Sequence, residues 1–154
     1  MQKHEISVVN CEIGSILVYV EGGICTKISL SHEFYEETKD NIFTIQLKEY
    51  LHGIRKKLDF PVYYRSGQTF ERIWNCLKDC VPYGKIITYG ELAKICNTTP
   101  KVIGYAMSAN PLPIYIPCHR VVGKNSLGGF SLHFSDANLA IKWKKYLLSL
   151  EGSI

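Results

Sequence analysis

Between Val81 and Pro111 the chain is punctuated so closely that only short helices fit. Pro82-Tyr83-Gly84 stops whatever precedes it. Thr88 then stands at an N-cap with Glu91 at N3, a capping box that starts a helix at about Tyr89. That helix ends near Asn97. Thr98-Thr99-Pro100 starts another, with Pro100 in its first turn, and Asn110-Pro111 ends it after about Ala109. Two short helices across a tight turn are the outline of a helix-turn-helix. The outline alone is met more often in two packed core helices with no nucleic-acid role.

The flanking segments read as follows. Phe70, Ile73, Trp74, Leu77 and Val81 recur at helical spacing. A last helix spans about 136–150, with Leu139, Trp143, Tyr146, Leu147 and Leu150 inward and Lys142, Lys144 and Lys145 on a solvated face. A loop rich in Gly and Ser covers 123–135. The first thirty residues read as β: Ser15 to Val20 is a β-branched and aromatic run, Glu21-Gly22-Gly23 a turn, and Ile24 to Leu30 an alternating strand. This hairpin is expected at the centre of a small sheet. A helix is expected near 41–54 on Leu47, Tyr50, Leu51 and Ile54, ended by Gly53 and Arg55-Lys56-Lys57. Asp59 to Gly67 is irregular or extended, and the domain boundary falls within roughly 60–68. The fold class is α+β: a small N-terminal β-sheet domain with a helix (1–65), then a mainly helical domain with a helix-turn-helix (66–154).

The 154 residues suit one domain or a small domain fused to a larger one; 46% are apolar and 21% charged, enough to bury a core. No run is long enough to span a membrane. Met1 to Ile6 is charged and lacks an apolar signal core, so the expected location is the cytoplasm, with nucleoid association in a prokaryote. A net charge of +4 is compatible with a polyanionic partner but weak as a sign of one. Cys11, Cys25, Cys76, Cys80, Cys96 and Cys118 show no zinc-knuckle spacing and are expected to be free thiols in a reducing cytosol. Cys76 and Cys80 are i,i+4 on a helix and could meet.

The chemistry concentrates in Pro111-Leu112-Pro113-Ile114-Tyr115-Ile116-Pro117-Cys118-His119-Arg120-Val121-Val122. Three prolines stiffen the approach to a thiol beside an imidazole and a guanidinium. Either cation could lower the thiol pKa, and thiolate is the reactive form. Strand neighbours point to opposite faces, so His119 can serve Cys118 only if the chain turns there or a water bridges them. A Cys-His pair alone is more often structural than catalytic.

Ile116-Pro117-Cys118-His119-Arg120-Val121-Val122 resembles the signature of the O6-alkylguanine-DNA alkyltransferases. The resemblance extends over 42–152. It includes Pro82-Tyr83-Gly84, Thr88-Tyr89-Gly90-Glu91-Leu92-Ala93, the segment Gly104 to Pro113 as recognition helix and asparagine hinge, and Tyr146 to Gly152 as closing helix.

The resemblance implies one irreversible alkyl transfer per molecule from O6-alkylguanine to Cys118, with no metal and no cofactor. His119 would be the base through a water, with Glu151 holding its tautomer. Asn110 would brace the turn, and Tyr89 would rotate the nucleotide and protonate the leaving guanine at N3. Val121 and Ser131 would hold the guanine edge, Pro113 would pack on the base, and Lys144 would sit at the site's rim. Arg120 and Phe130 complete the expected substrate-binding set. Ala106, Met107, Ser108 and Ala109 would face double-stranded DNA in the minor groove, with the base flipped out and the protein a monomer. Two positions depart from the family pattern. Lys101 stands where an arginine often fills the gap left by the base, and Phe130 where Tyr is frequent. A cysteine hydrolase would instead need an oxyanion hole and continued turnover. A non-catalytic lesion binder of this fold would lack Cys118.

Overall fold

The computed structural model describes residues 4–130 and 136–154. The chain divides into two compact units, Met1–Tyr64 and Arg65–Ile154.

The first unit is built on an antiparallel meander of β1 (His4–Cys11), β2 (Gly14–Glu21) and β3 (Ile24–Ser31), with β2 in the middle. Gly22 and Gly23 both have positive φ, as the tight turn from β2 to β3 requires. Ile16, Val18 and Val20 of β2 are buried at alternate positions. Val9 pairs with Ile16, and Val18 with Ile28. In β1, Ser7, Val8 and Val9 are all buried, so the alternation that would mark a separate strand is missing. Helix α1 (Ile42–Leu51) is capped by Asn41, whose side chain accepts from the Phe43 and Thr44 amides and donates to Ser7 Oγ at 2.8 Å. Phe43, Leu47 and Tyr50 are its buried apolar residues, and the Phe43 ring meets Phe60 edge-on at 5.0 Å. The helix is shorter than the expected 41–54: Ile54 lies past its end and is 74% exposed, so it is no part of the apolar face. The extended stretch before the second unit is pinned to β3. Cys25 N–H donates to the Pro61 carbonyl and Tyr63 N–H to the Cys25 carbonyl, both at 2.9 Å.

The second unit begins with α2 (Gln68–Cys80), whose Ile73, Trp74 and Leu77 are buried. The Trp74 indole N–H donates to the Ala106 carbonyl at 2.8 Å, fastening α2 to a later helix. β4 (Ile87–Thr88) leads into α3 (Tyr89–Ile95), and the Thr88–Glu91 capping box is present as read from the sequence. Asn97 takes φ 54°, Asn97 N–H donates to the Lys94 carbonyl, and Thr98 N–H donates to the Ala93 carbonyl at 2.9 Å. These bonds form a Schellman motif, which closes α3 and turns the chain. Thr99 then caps α4 (Pro100–Ser108) with Pro100 in its first turn. β5 (Val121–Val122) pairs in parallel with β4, Ile87 to Val121 and Thr88 to Val122. The last helix, α5 (Ala137–Leu150), ends in a second Schellman turn, with Glu151 at the C-cap and Gly152 following. Its inward stripe is rotated from the expected one. Ala140, Trp143, Lys144, Leu147 and Leu148 are buried, while Leu139, Tyr146 and Leu150 are half-buried. Among the described residues no helix is long and apolar enough to cross a membrane.

The left-handed Asn97 gives a pair of substitutions opposite in sign. Asn97→Ala should destabilise by about 1 kcal/mol, because a Cβ without a local hydrogen bond is strained there, whereas Asn97→Gly should be neutral or better. Urea unfolding of the two variants checks this, and equal losses would count against the turn as described.

Candidate active site

Asn110 follows α4 and organises the approach to the cysteine. It is fully buried. Its Nδ2 donates to the Ile116 carbonyl at 2.9 Å, and its Oδ1 accepts from Leu112 N–H at 2.9 Å. One side chain thus spans the loop 110–116. Within that loop Ile114 has φ 75°, a conformation that a β-branched residue adopts only when its surroundings impose it. The backbone then makes a single 3₁₀ turn over Cys118–Arg120. An extended chain here would send the Cys118 and His119 side chains to opposite faces, and the 3₁₀ turn departs from it.

Cys118 is 3% exposed. Burial pushes its thiol up to about 11, against a hydrogen bond from the Asn110 side chain and the nearby Lys144 ammonium. The cation that lowers the thiol pKa is thus Lys144 and not the neighbouring His119 or Arg120, and burial outweighs it. His119 Nε2 lies 2.7 Å from Glu151 Oε2. Burial holds the imidazole below its ordinary 6.5, although Glu151 pulls the other way. Burial alone would raise Glu151, but the His119 hydrogen bond and the Arg120 guanidinium outweigh it and bring the carboxyl down to about 2. An ionised carboxylate can only accept, so a neutral His119 carries its proton on Nε2 and leaves Nδ1 as a lone pair. Nδ1 is buried and has no hydrogen-bond partner among the described residues.

Arg120 grips the same carboxylate, Nε to Oε1 at 2.8 Å and Nη2 to Oε2 at 3.1 Å, and gives Nη1 to the Val81 carbonyl at 2.9 Å. The structure thus puts Arg120 in the support of Glu151, and not with the ligand-contacting residues where the sequence reading placed it. Lys144 is fully buried, not at a rim or on a solvated face. Its Nζ donates to the Val121 carbonyl at 2.6 Å and to the Gly129 carbonyl at 3.0 Å. Burial draws its ammonium down to about 8.

A cavity of about 380 Å³ opens over Cys118 and includes Tyr89, Lys101, Met107, Ser108 and Phe130 from the expected set. The β4–β5 pairing sets Tyr89 beside this strand segment. Burial, then Cys118, raises the Tyr89 phenol above its ordinary 10. Gly128, at φ 74°, closes on Tyr89, where a Cβ would come within 3.0 Å of the ring. Pro113 is buried and bridges to Ile116, and the Val121 carbonyl is taken by Lys144. Ala106 is fully buried, with its carbonyl bonded to Trp74, so it belongs to the core and not to an outer face; Ala109 is exposed at the C-cap. Ser131 lies outside the described residues. The sequence reading missed Tyr105, Pro100, Gly104 and Gly129 on the cavity wall. Tyr105 could have been found one helical turn after Lys101, whose ammonium lies 6.0 Å from its ring. Among the described residues no group of three His, Cys, Asp or Glu is arranged to hold a metal ion.

Residues 68–153 match the 6-O-methylguanine DNA methyltransferase, DNA binding domain, family model. The chain is 36% identical over 135 residues to the methylated-DNA–protein-cysteine methyltransferase of Archaeoglobus fulgidus, covering 88% of this chain and 90% of that one. It superposes on the crystal structure of Mycobacterium tuberculosis O6-methylguanine methyltransferase with a TM-score of 0.79 at 26% identity, over 98% of this chain and 94% of the other. A structure of the Mycobacterium tuberculosis protein in complex with DNA gives a TM-score of 0.78 at 26% identity, over 96% and 93% of the two chains. With its buried Cys-His-Glu arrangement beside a helix-turn-helix, the chain belongs to the O6-methylguanine DNA methyltransferase family.

The depressed Glu151 carboxyl implies an acid-sensitive contribution to stability. Its folded value lies below the ordinary 4.5, so the contribution is complete above that pH and is lost as pH falls through about 2. Between those limits the wild-type protein should lose on the order of 3 kcal/mol more unfolding free energy than Glu151→Gln. Parallel losses in urea titrations at stepped pH would show that the carboxylate is not held as described.

Proposed function

We propose that this protein repairs DNA by irreversible transfer of the alkyl group from O6-alkylguanine to Cys118 Sγ, once per molecule. The observation that carries the reading is the Glu151–His119 hydrogen bond, which leaves a buried imidazole lone pair on the residue next to a buried thiol. The related enzymes are named for this acceptor chemistry, and a relative of the same fold binds DNA.

The helix-turn-helix docks α4 in the minor groove, largely through phosphates and without sequence preference. Exposed Lys101, Ser108 and Ala109 lie on or just past α4. Lys101 occupies the gap left by the flipped nucleotide. Flipping costs a few kcal/mol, least for a lesion that pairs poorly. The base enters the cavity over Cys118, against Phe130 and Met107. A thiol at about 11 is almost wholly protonated at neutral pH, which protects it from stray electrophiles. Its proton leaves through a water to His119 Nδ1 as the base arrives, and Glu151 stabilises the imidazolium that forms. Lys144 and Asn110 stabilise the thiolate. Sulfur attacks the alkyl carbon in line, the carbon–O6 bond breaks, and its electron pair goes to the guanine. The Tyr89 hydroxyl delivers a proton to guanine N3 and is reprotonated from solvent. Among the described residues no second thiol is placed to release the S-alkyl cysteine, so each molecule reacts once. Every acting group comes from one unit of one chain, so the protein works as a monomer.

The reaction is tested by intact mass spectrometry after mixing with an O6-methylguanine duplex. One methyl per molecule should appear and map to Cys118, and it should be absent in Cys118→Ala. Turnover beyond one equivalent, or a methyl that persists in the variant, would overturn the reading. Glu151→Gln should slow single-turnover transfer by roughly 10²-fold or more while duplex affinity stays within about threefold. Equal losses of rate and affinity would contradict the relay.

A further inference from the structure

Away from the cavity, three thiols converge where α2 meets the end of α3. Cys76 Sγ lies 3.7 Å from Cys80 Sγ on the same helix. Cys96, at the C-cap of α3, is an electrostatic neighbour of Cys76. The cluster is graded in access: Cys80 is exposed, Cys76 half-buried and Cys96 buried. Arg72, one turn before Cys76, donates its guanidinium to the Cys96 carbonyl and holds that C-cap against α2. Among the described residues no group of three His, Cys, Asp or Glu is arranged to hold a metal ion; neighbouring thiols can exchange sulfur–sulfur bonds.

The two possible bonds of Cys76 differ in strain. Side chains one turn apart on a helix have Cβ atoms about 5–6 Å apart, whereas a relaxed disulfide needs about 3.5–4.5 Å. A Cys76–Cys80 bond would distort α2 and be easily reduced. Cys96 comes from a separate element, so its approach to Cys76 is not fixed by the spacing along one helix.

We propose that Cys80, Cys76 and Cys96 form a thiol–disulfide relay whose end product is a Cys76–Cys96 disulfide joining α2 to the first helix of the helix-turn-helix. The oxidant is a small disulfide of the glutathione type. Cys80 thiolate attacks it, forming a mixed disulfide and releasing one small thiol. Cys76 thiolate then attacks the Cys80 sulfur, and the second small thiol leaves. Cys96 thiolate attacks the Cys76 sulfur and returns Cys80 as a thiol. Two cysteine thiols are oxidised and one small disulfide is reduced to two thiols, so electrons and protons balance. The thiols of Cys76 and Cys80 are both held above their ordinary range, Cys76 by burial first and Cys80 by its hydrogen bond to Cys76. The relay therefore responds to sustained oxidation and not to brief exposure. It staples the DNA-binding unit while Cys118, which is no part of the cluster, stays reduced.

The test is timed incubation of the reduced protein with glutathione disulfide, alkylation of remaining thiols, and peptide mapping without reduction. A glutathione adduct on Cys80 should appear first and a Cys76–Cys96 link last, with the thermal midpoint raised by about 5 °C or more. Cys80→Ser, at an exposed site, should slow the link about tenfold or more, and Cys96→Ala should stop the sequence at the Cys76–Cys80 disulfide. A stable Cys76–Cys80 end product in the wild-type protein, a link to Cys118, no link at all, or an unchanged rate in Cys80→Ser would each overturn the relay.

Discussion

The carboxylate of Glu151 is the fixed point of the DNA-binding unit. It stands at the C-cap of α5, where the helix dipole disfavours a negative charge. Two partners from the 3₁₀ turn offset that cost, His119 through Nε2 and Arg120 through two nitrogens. The same three-way contact ties the end of α5 to the Cys118 turn, and Arg120 extends it to Val81 at the end of α2. Removing either partner would leave a buried charge half-satisfied, which is far costlier than losing an exposed ion pair. The chemistry and the packing therefore share one constraint. The carboxylate that fixes the histidine tautomer also fixes where the reactive turn lies.

A second consequence concerns the thiol. Its burial leaves it unreactive at rest, and the groups that favour its ionised form include Asn110 and the ammonium of Lys144 anchored on two carbonyls. A thiol about 4 pH units above neutrality must regain roughly 5 kcal/mol at the moment of reaction. On the proposed reading a neutral base acting through a water, with an ionised partner behind it, supplies this without a standing thiolate, and a single-use acceptor would suit that design because a resident thiolate would be spent on other electrophiles.

Much of this was legible in the sequence where the determinants are local. The Thr88–Glu91 box, Pro100 at the start of α4 and the stop at Asn110-Pro111 act within one turn, so the helix-turn-helix could be read directly. The family motif supplied the Cys118, His119 and Glu151 set. What escaped depends on rotation about a helix or on distant pairing. Lys144 looked solvated because amphipathic patterning assigns lysine outward, and the carbonyls of Val121 and Gly129 help make its burial tolerable. Ala106 and Tyr105 are adjacent on α4 yet face the core and the cavity respectively, a distinction that composition does not encode. Arg120 was grouped with ligand contacts because its true partners are 31 and 39 residues away in the chain. The left-handed Ile114 carries no signal, since its conformation is imposed by the Asn110 bridge.

The Glu151–His119 relay turns on the protonation state of His119, which nitrogen-15 NMR of the histidine side chains at pH 7 reports. A His119 ring protonated on Nε2, with Nδ1 at the shift of an unprotonated nitrogen, is the expected result. It should persist when pH is lowered past 6.5, because burial holds the imidazole below that value. An imidazolium at neutral pH, or a tautomer with the proton on Nδ1, would contradict the account.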